Sequence, residues 1–393
     1  MVPFDAKRAL SPLTLEEVLR DRALRRREFP VVRDKAFFAH AAVCALPARV
    51  AKAVAGYAGL AAMQGQFERL YGAEWRGARV QAAALLGARP EEIAFTSSTS
   101  AGLSLVARGL MLPPGSEVLV PEGEFPANIY PWMGLERRGV RLRFIPRRAD
   151  GSVTADEVAA RLGPKTRLVS LGSAHYLTGA LADVDAIGRL LRSRGVLFCV
   201  DAIQSLGALP CPTRHVDFLV ADAHKWLLGP EGIAVLYVRR ERQDGLFPTL
   251  LGWRSVRDPY DFARLKLDFP DSALRYEPGS PNALGLVGLN AALSLLLGLG
   301  AEAVRKRILE LREALLSGLD EKCCEVLGPG PGVPAMSIVT FRRPGRDMKA
   351  LHARLEKRGI VTSLRSDARG PCIRLSPHAY NTEEEIGRLL EAI

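Results

Sequence analysis

Between about Val43 and Leu274 the chain alternates short apolar runs with longer segments whose apolar residues recur at helical spacing. Seven runs read as strands: Ile93–Phe95, Glu117–Val120, Leu142–Ile145, Arg167–Leu171, Leu197–Val200, Phe218–Ala221 and Ile233–Val238. Strands alternating with helices predict a three-layer α/β unit, a mostly parallel sheet with helices on both faces. After residue 282 the pattern changes. A helical stretch from Leu284 to Leu297 leads into a charged helix beginning at Ala301, and the turn Gly328-Pro-Gly-Pro-Gly332 precedes strand-like Ser337–Phe341 and Cys372–Leu375. This end reads as a smaller α+β unit. Before the large unit comes a polar, partly helical stretch, and then Ala36–Ala42, a short strand entering a turn. The expected division is an arm over 1–35 that packs on the small domain, a large domain over 36–280 and a small one over 281–393. No internal repeat or low-complexity tract interrupts this plan.

Two of the predicted strands stop at a charge that packing does not call for. Val196-Leu-Phe-Cys-Val200 ends at Asp201, with Gln204 three residues on, and Phe218-Leu-Val-Ala221 runs into Asp222-Ala-His224-Lys225. A lysine amine forms a Schiff base with an aldehyde once its pKa is lowered, and a carboxylate holds a heteroaromatic nitrogen protonated. Pyridoxal phosphate needs both. Its phosphate needs a cradle, and Ile93-Ala-Phe-Thr-Ser-Ser-Thr-Ser100 offers one: a strand, a hydroxyl-rich turn, then a helix with Thr99 and Ser100 where N-cap hydroxyls belong. Each feature alone also has a plain structural reading, as a strand-end charge or an ordinary helix cap. Ligands of open α/β sheets bind beyond the carboxyl ends of the strands, where Thr99, Asp201 and Lys225 all fall.

Together these residues resemble the class V aminotransferase and cysteine desulfurase family, a branch of the fold-type I pyridoxal phosphate enzymes. The resemblance runs from about Phe37 to the C-terminus. It implies that Lys225 carries the cofactor's aldehyde, that His224 lies near the phosphate, that Asp201 partners the ring nitrogen and that Gln204 bonds the ring's phenolic oxygen. Glu124-Phe-Pro-Ala-Asn128 is similar to the segment whose second residue stacks on the ring, which gives that place to Phe125. A phenylalanine can stack but cannot move a proton as a histidine would. Glu277-Pro-Gly-Ser-Pro-Asn282 resembles a loop that reaches the partner subunit's phosphate, implying a homodimer with shared sites and a role for Ser280. Cys372-Ile-Arg-Leu375 resembles the segment whose arginine grips the substrate carboxylate, so Arg374 inherits that role. His40 is either a satisfied structural histidine or a further substrate contact.

Departures from the family pattern bear on the reaction. Asp222 stands where family members with a Ser-x-His-Lys sequence place a phosphate-binding serine. An acid there would repel a phosphate, so it is expected to hold His224 or a loop amide instead. The stretch Ser363–Gly370, where desulfurases carry a nucleophilic cysteine, has none. The six cysteines lack metal-ligand spacing, so no metal is expected. In composition, 393 residues at 48% hydrophobic content suffice for two domains, and no apolar stretch approaches a membrane span. The N-terminus lacks a secretory core, so the expected compartment is cytoplasmic. The net charge of +11 is spread over arginine-rich helical segments with acids nearby, which argues against nucleic-acid binding.

The expected function is a pyridoxal phosphate enzyme acting at the α-carbon of an amino acid or related amine, with transamination the leading reaction. The alternatives are a desulfurase-like C–S lyase, a β-lyase or an epimerase, for which His175 and Tyr176 are candidate proton donors. The non-enzyme alternative is a catalytically silent binding protein of this fold.

Overall fold

The computed structural model describes residues 13–211 and 213–393, so the first twelve residues of the expected arm lie outside the described residues. The described part of the arm forms two short helices, Leu15–Arg20 and Arg22–Glu28. A capping box opens the first: Thr14 Oγ1 accepts from the Glu17 amide, and the Glu17 carboxylate accepts from the Thr14 amide. Arg25 donates to the Tyr380 carbonyl at 2.6 Å and pairs with Glu385, while Phe29 stacks on Tyr380 at 4.0 Å between centroids. Leu13, Leu15 and Val18 of the same arm join the main core, so the arm ties the two units together rather than resting on one. Strand β1 (Ala36–Phe37) then runs parallel to a strand at Ile360–Val361. Ala36 and Phe38, which the sequence places at the start of the large unit, are buried in the core of the small one.

The large unit is a seven-stranded sheet formed by β2 (Ile93–Thr96), β3 (Glu117–Pro121), β4 (Arg141–Ile145), β5 (Thr166–Gly172), β6 (Leu197–Asp201), β7 (Phe218–Asp222) and β8 (Ala234–Val238). Their order is β2-β8-β7-β6-β5-β3-β4, and only β8 runs against the rest. Strands β7 and β8 are buried along their whole length, as a sheet covered on both faces requires. Helix Thr99–Gly109 lies close against β7 because Gly102 has no side chain: a Cβ there would sit 2.6 Å from Val220 Cγ1. Helix Ala283–Leu299 is buried on nearly every side and packs with Ala48–Gln64 and Gly72–Leu86. Because β2, β6 and β7 point the same way, the start of helix Thr99–Gly109, Asp201 and the Lys225 turn emerge at one edge of the sheet.

The small unit completes the chain with β9 (Glu325–Leu327), β10 (Val339–Arg342), β11 (Ile360–Val361), β12 (Ser363–Asp367) and β13 (Gly370–Leu375). An antiparallel sheet of order β12-β13-β10-β9 packs with helices Ala301–Glu321, Met348–Lys357 and Glu383–Ala392 around a second core. In the β12–β13 hairpin Arg365 pairs with Cys372 and Ser363 with Arg374. Cross-strand partners share a face, so Arg365 and Arg374 stand as diagonal neighbours on one side while Ile373 faces the core on the other. Among the described residues no single helix is long and apolar enough to cross a membrane.

Candidate active site

A cleft of about 560 Å³ opens at the sheet edge where the carboxyl ends of β6 and β7 meet the β12–β13 hairpin. It brings together Thr99, Ser100, Phe125, Asp201, Gln204, His224, Lys225 and Arg374. Lys225 follows β7 by three residues on a tight turn, in which Leu228 adopts a positive φ of 57° and its amide donates to the Lys225 carbonyl at 3.2 Å. A buried leucine in the left-handed region is strained, and the surrounding packing must hold it there. The Lys225 Nζ lies 5.7 Å from the centroid of the Phe125 ring. Burial presses the ammonium's pKa down, and Arg374 and Arg365 push the same way against the pull of Asp201 and Asp222.

Asp201 closes β6 and is buried, with one carboxylate oxygen accepting from the Ile203 amide at 3.0 Å. Burial pushes its pKa up, with Glu124 adding to the shift and Lys225 opposing it. Gln204 is held at both ends: its Nε2 donates to the Ala41 carbonyl at 3.0 Å, and its Oε1 accepts from Trp226 Nε1 at 2.9 Å. One N–H of that amide remains for a ligand. Arg374 is 1% exposed and donates Nη1 to the Tyr176 carbonyl at 2.6 Å, while Nε and Nη2 are buried without a partner. A guanidinium with two idle donors beside a cleft is shaped for a carboxylate.

Three expectations need correction. The helix cap is Ser98, whose Oγ accepts from the Ala101 amide; Thr99 is the first helical residue, and its hydroxyl accepts from the Asp222 amide at 3.0 Å. His40 is wholly buried away from the cleft, with Nδ1 2.9 Å from the Ser376 carbonyl and Nε2 2.8 Å from the Tyr380 hydroxyl, so it is a satisfied structural histidine. His175 is equally occupied, between the Thr178 hydroxyl and the Gly123 carbonyl at 3.0 Å each, and burial presses its pKa down to about 4. That leaves it a poor proton donor near neutral pH, whereas Tyr176 does line the cleft. Ser280 lies apart, in a second cleft behind the helix start with Ser97, Ser104 and Arg108. Asp222 holds both groups named as candidates: its carboxylate accepts from the Thr99 amide at 3.2 Å and lies 2.9 Å from His224 Nδ1.

Sequence reasoning missed Arg365, which lines the cleft beside Arg374 and pairs with no carboxylate among the described residues. The signal was available in its spacing from Arg374 once the hairpin was recognised. It also missed Arg147, whose ion pair with Glu124 at 2.6 Å anchors the segment bearing Phe125, since residues 23 apart carry no local pattern.

A mostly parallel sheet presenting a half-buried lysine, a strand-end acid, an aromatic ring and a guanidinium with idle donors at one edge is the arrangement of a fold-type I pyridoxal phosphate enzyme. The chain belongs to the aminotransferase class-V family, whose model matches residues 36–389. It is 29% identical over 391 residues to a probable cysteine desulfurase of Methanothermobacter thermautotrophicus, covering 94% of this chain and 96% of that one. It is 31% identical over 342 residues to the isopenicillin N epimerase of Amycolatopsis lactamdurans, covering 80% and 83%. Among solved structures, the cystine C–S lyase C-DES in complex with its product cysteine persulfide superposes with a TM-score of 0.84 at 28% identity, covering 92% and 98%. A variant of C-DES holding glycine covalently linked to its pyridoxal phosphate cofactor superposes with a TM-score of 0.86, covering 93% and 98%. The cofactor of this enzyme is pyridoxal 5'-phosphate, and the unpartnered Arg374 donors and the Asp201 carboxylate at the strand end are residues that fit it and its substrates.

Proposed function

We propose that the enzyme cleaves the Cβ–S bond of a sulfur-bearing amino acid with two carboxylates, of which cystine is the model, by β-elimination rather than transamination. Lys225 holds the cofactor's aldehyde and moves the Cα proton, Asp201 faces the ring nitrogen, Gln204 offers its remaining N–H to the ring's oxygen, and Phe125 stacks on the ring. Thr99, Ser100 and His224 surround the phosphate, and Ser280 reaches that of a partner subunit in a homodimer. When bound, pyridoxal phosphate supplies the electron sink that stabilises negative charge at Cα.

The chain's residues set up the rest. Burial lowers the pKa of the Lys225 amine to about 8, which brings its proton-accepting form within reach near neutral pH. Arg374 fixes the α-carboxylate and thereby the face of Cα turned toward that amine. As the proton passes to Lys225, the Cα–H electron pair becomes a Cα–Cβ double bond and the Cβ–S pair leaves with the sulfur as a persulfide; hydrolysis of the released enamine gives pyruvate and ammonia. Arg365, on the same face of the hairpin, matches the second carboxylate.

The observation that carries this reading is the absence of a thiol where sulfur would be received. No cysteine lines the cleft among the described residues, and the hairpin position that faces it is Arg365. Cys372 is wholly buried, and burial pushes the thiols of Cys44 and Cys211 up to about 12 and about 11, so neither offers a thiolate. Without an acceptor the sulfur departs on its own carrier. Incubation with cystine, without added thiol, tests this: pyruvate should appear in step with released persulfide sulfur. In a parallel incubation with cysteine and an added thiol as sulfur acceptor, alanine without pyruvate would establish desulfuration, and amino exchange of either substrate with a 2-oxo acid would establish transamination. Either result overturns the proposal.

A further inference from the structure

The acid at the end of β7 stands beside the start of helix Thr99–Gly109, and its contacts are specific. Asp222 is 5% exposed. Its Oδ2 accepts from the Thr99 amide at 3.2 Å, its Oδ1 accepts from the Ala223 amide at 3.1 Å, and that Oδ1 lies 2.9 Å from His224 Nδ1. Its own amide donates to Thr99 Oγ1 at 3.0 Å. Among the described residues no lysine or arginine pairs with it. The carboxylate therefore takes an amide at the start of helix Thr99–Gly109, a donor that a bound phosphate would otherwise use. A second anion beside it meets a fixed charge of its own sign unless a hydrogen-bond donor lies between them. His224 is so placed. Its Nδ1 faces Asp222, its ring lines the cleft, and its Nε2 bonds no described residue. The Nδ1 contact lies off the axis of a ring N–H, so the attraction is electrostatic before it is directional.

We propose that Asp222 is a positioning residue for the cofactor phosphate: it holds the His224 ring between its own carboxylate and the phosphate, so that a charge-assisted contact from His224 outweighs the repulsion of the Asp222 charge. The proposal rests on the assignment of this cleft to pyridoxal phosphate. It makes Asp222, by its charge repulsive to phosphate, a net contributor to phosphate binding through its neighbour.

The test strips the holoenzyme of cofactor and titrates it back with pyridoxal phosphate or with pyridoxal, reading the visible band of the lysine-bound cofactor. Asp222→Asn should weaken pyridoxal phosphate about tenfold, the worth of one hydrogen bond to a charged group, and leave pyridoxal unchanged. On a His224→Gln background the sign should invert: Asp222→Asn then tightens pyridoxal phosphate, because only repulsion remains to be removed. Thermal midpoints of the cofactor-free variants report on folding. Should Asp222→Asn lower that midpoint, both titrations are run below it, where the ratio of pyridoxal phosphate to pyridoxal affinity still decides. Tighter phosphate binding by Asp222→Asn with His224 present overturns the proposal, as does an equal shift for both ligands. Failure of the unsubstituted protein to form a band with either ligand overturns the site assignment itself.

Discussion

Arg374→Met separates the binding role of this guanidinium from any structural one. Arg374 is a buried cation that donates to the Tyr176 carbonyl and has two further donors without a partner among the described residues. Burial, reinforced by Arg365, presses its pKa down to about 9, which marks the charge as held against solvation. Methionine removes the charge and orphans no carboxylate, and one lost hydrogen bond costs about 1 kcal/mol. Replacing a buried charge by an apolar residue of similar size is often neutral or stabilising, so the thermal midpoint should hold or rise. Substrate binding should respond in the opposite sense. Two hydrogen bonds to a carboxylate, at about 1.5–3 kcal/mol each, correspond to a loss on the order of 10²–10⁴-fold in kcat/KM. The assay compares cystine with cystamine, which has the same disulfide and amines but no carboxylates. The substituted enzyme should lose activity on cystine alone. A fall in midpoint together with equal losses on both substrates would refute the reasoning and make Arg374 a structural residue.

Other consequences follow from the same geometry. Arg365→Gln should raise KM for cystine about tenfold and leave that for cysteine, with its single carboxylate, unchanged; steady-state kinetics on the two decide. Gly102→Val should destabilise the protein by about 1–3 kcal/mol and weaken cofactor binding together, because the added carbons would meet Val220 and push the helix off β7; denaturant unfolding and cofactor titration measure both. His378 is wholly buried with its pKa pressed down to about 4 by burial, so its unfolded form binds the extra proton. Its contribution to stability is present above about pH 6.5 and is lost as pH falls toward 4, so His378→Gln should flatten the acid limb of a stability–pH curve relative to the unsubstituted protein.

Much of this architecture was written in the local pattern. The seven strands of the large sheet appear within a residue or two of where the sequence places them, the inner ones because strands covered on both faces must be apolar along their length. The strand-end positions of Asp201 and Lys225 were equally legible, since a charge that interrupts such a run has no packing reason to be there. What escaped was set by contacts distant in sequence. That His40 turns inward depends on Ser376 and Tyr380, more than 330 residues away. The placement of Ala36 and Phe38 in the small core depends on pairing with Ile360 and Val361. Arg365 read as one more surface arginine until the hairpin register placed it diagonal to Arg374. The helix cap slipped by one residue within a run of hydroxyls, where Ser97, Ser98, Thr99 and Ser100 are all chemically able to cap.

Lys225 is proposed both to anchor the cofactor and to act as the base at Cα, and a single comparison tests both. Lys225→Ala and the unsubstituted enzyme are incubated with pyridoxal phosphate and an amino acid in deuterated water, with the visible band and the Cα hydrogen followed together. The unsubstituted enzyme should show the band and exchange the Cα hydrogen for deuterium, while Lys225→Ala should lose the band of the lysine-bound cofactor and exchange no faster than cofactor free in solution. An unchanged band, or undiminished exchange, in Lys225→Ala would contradict the account.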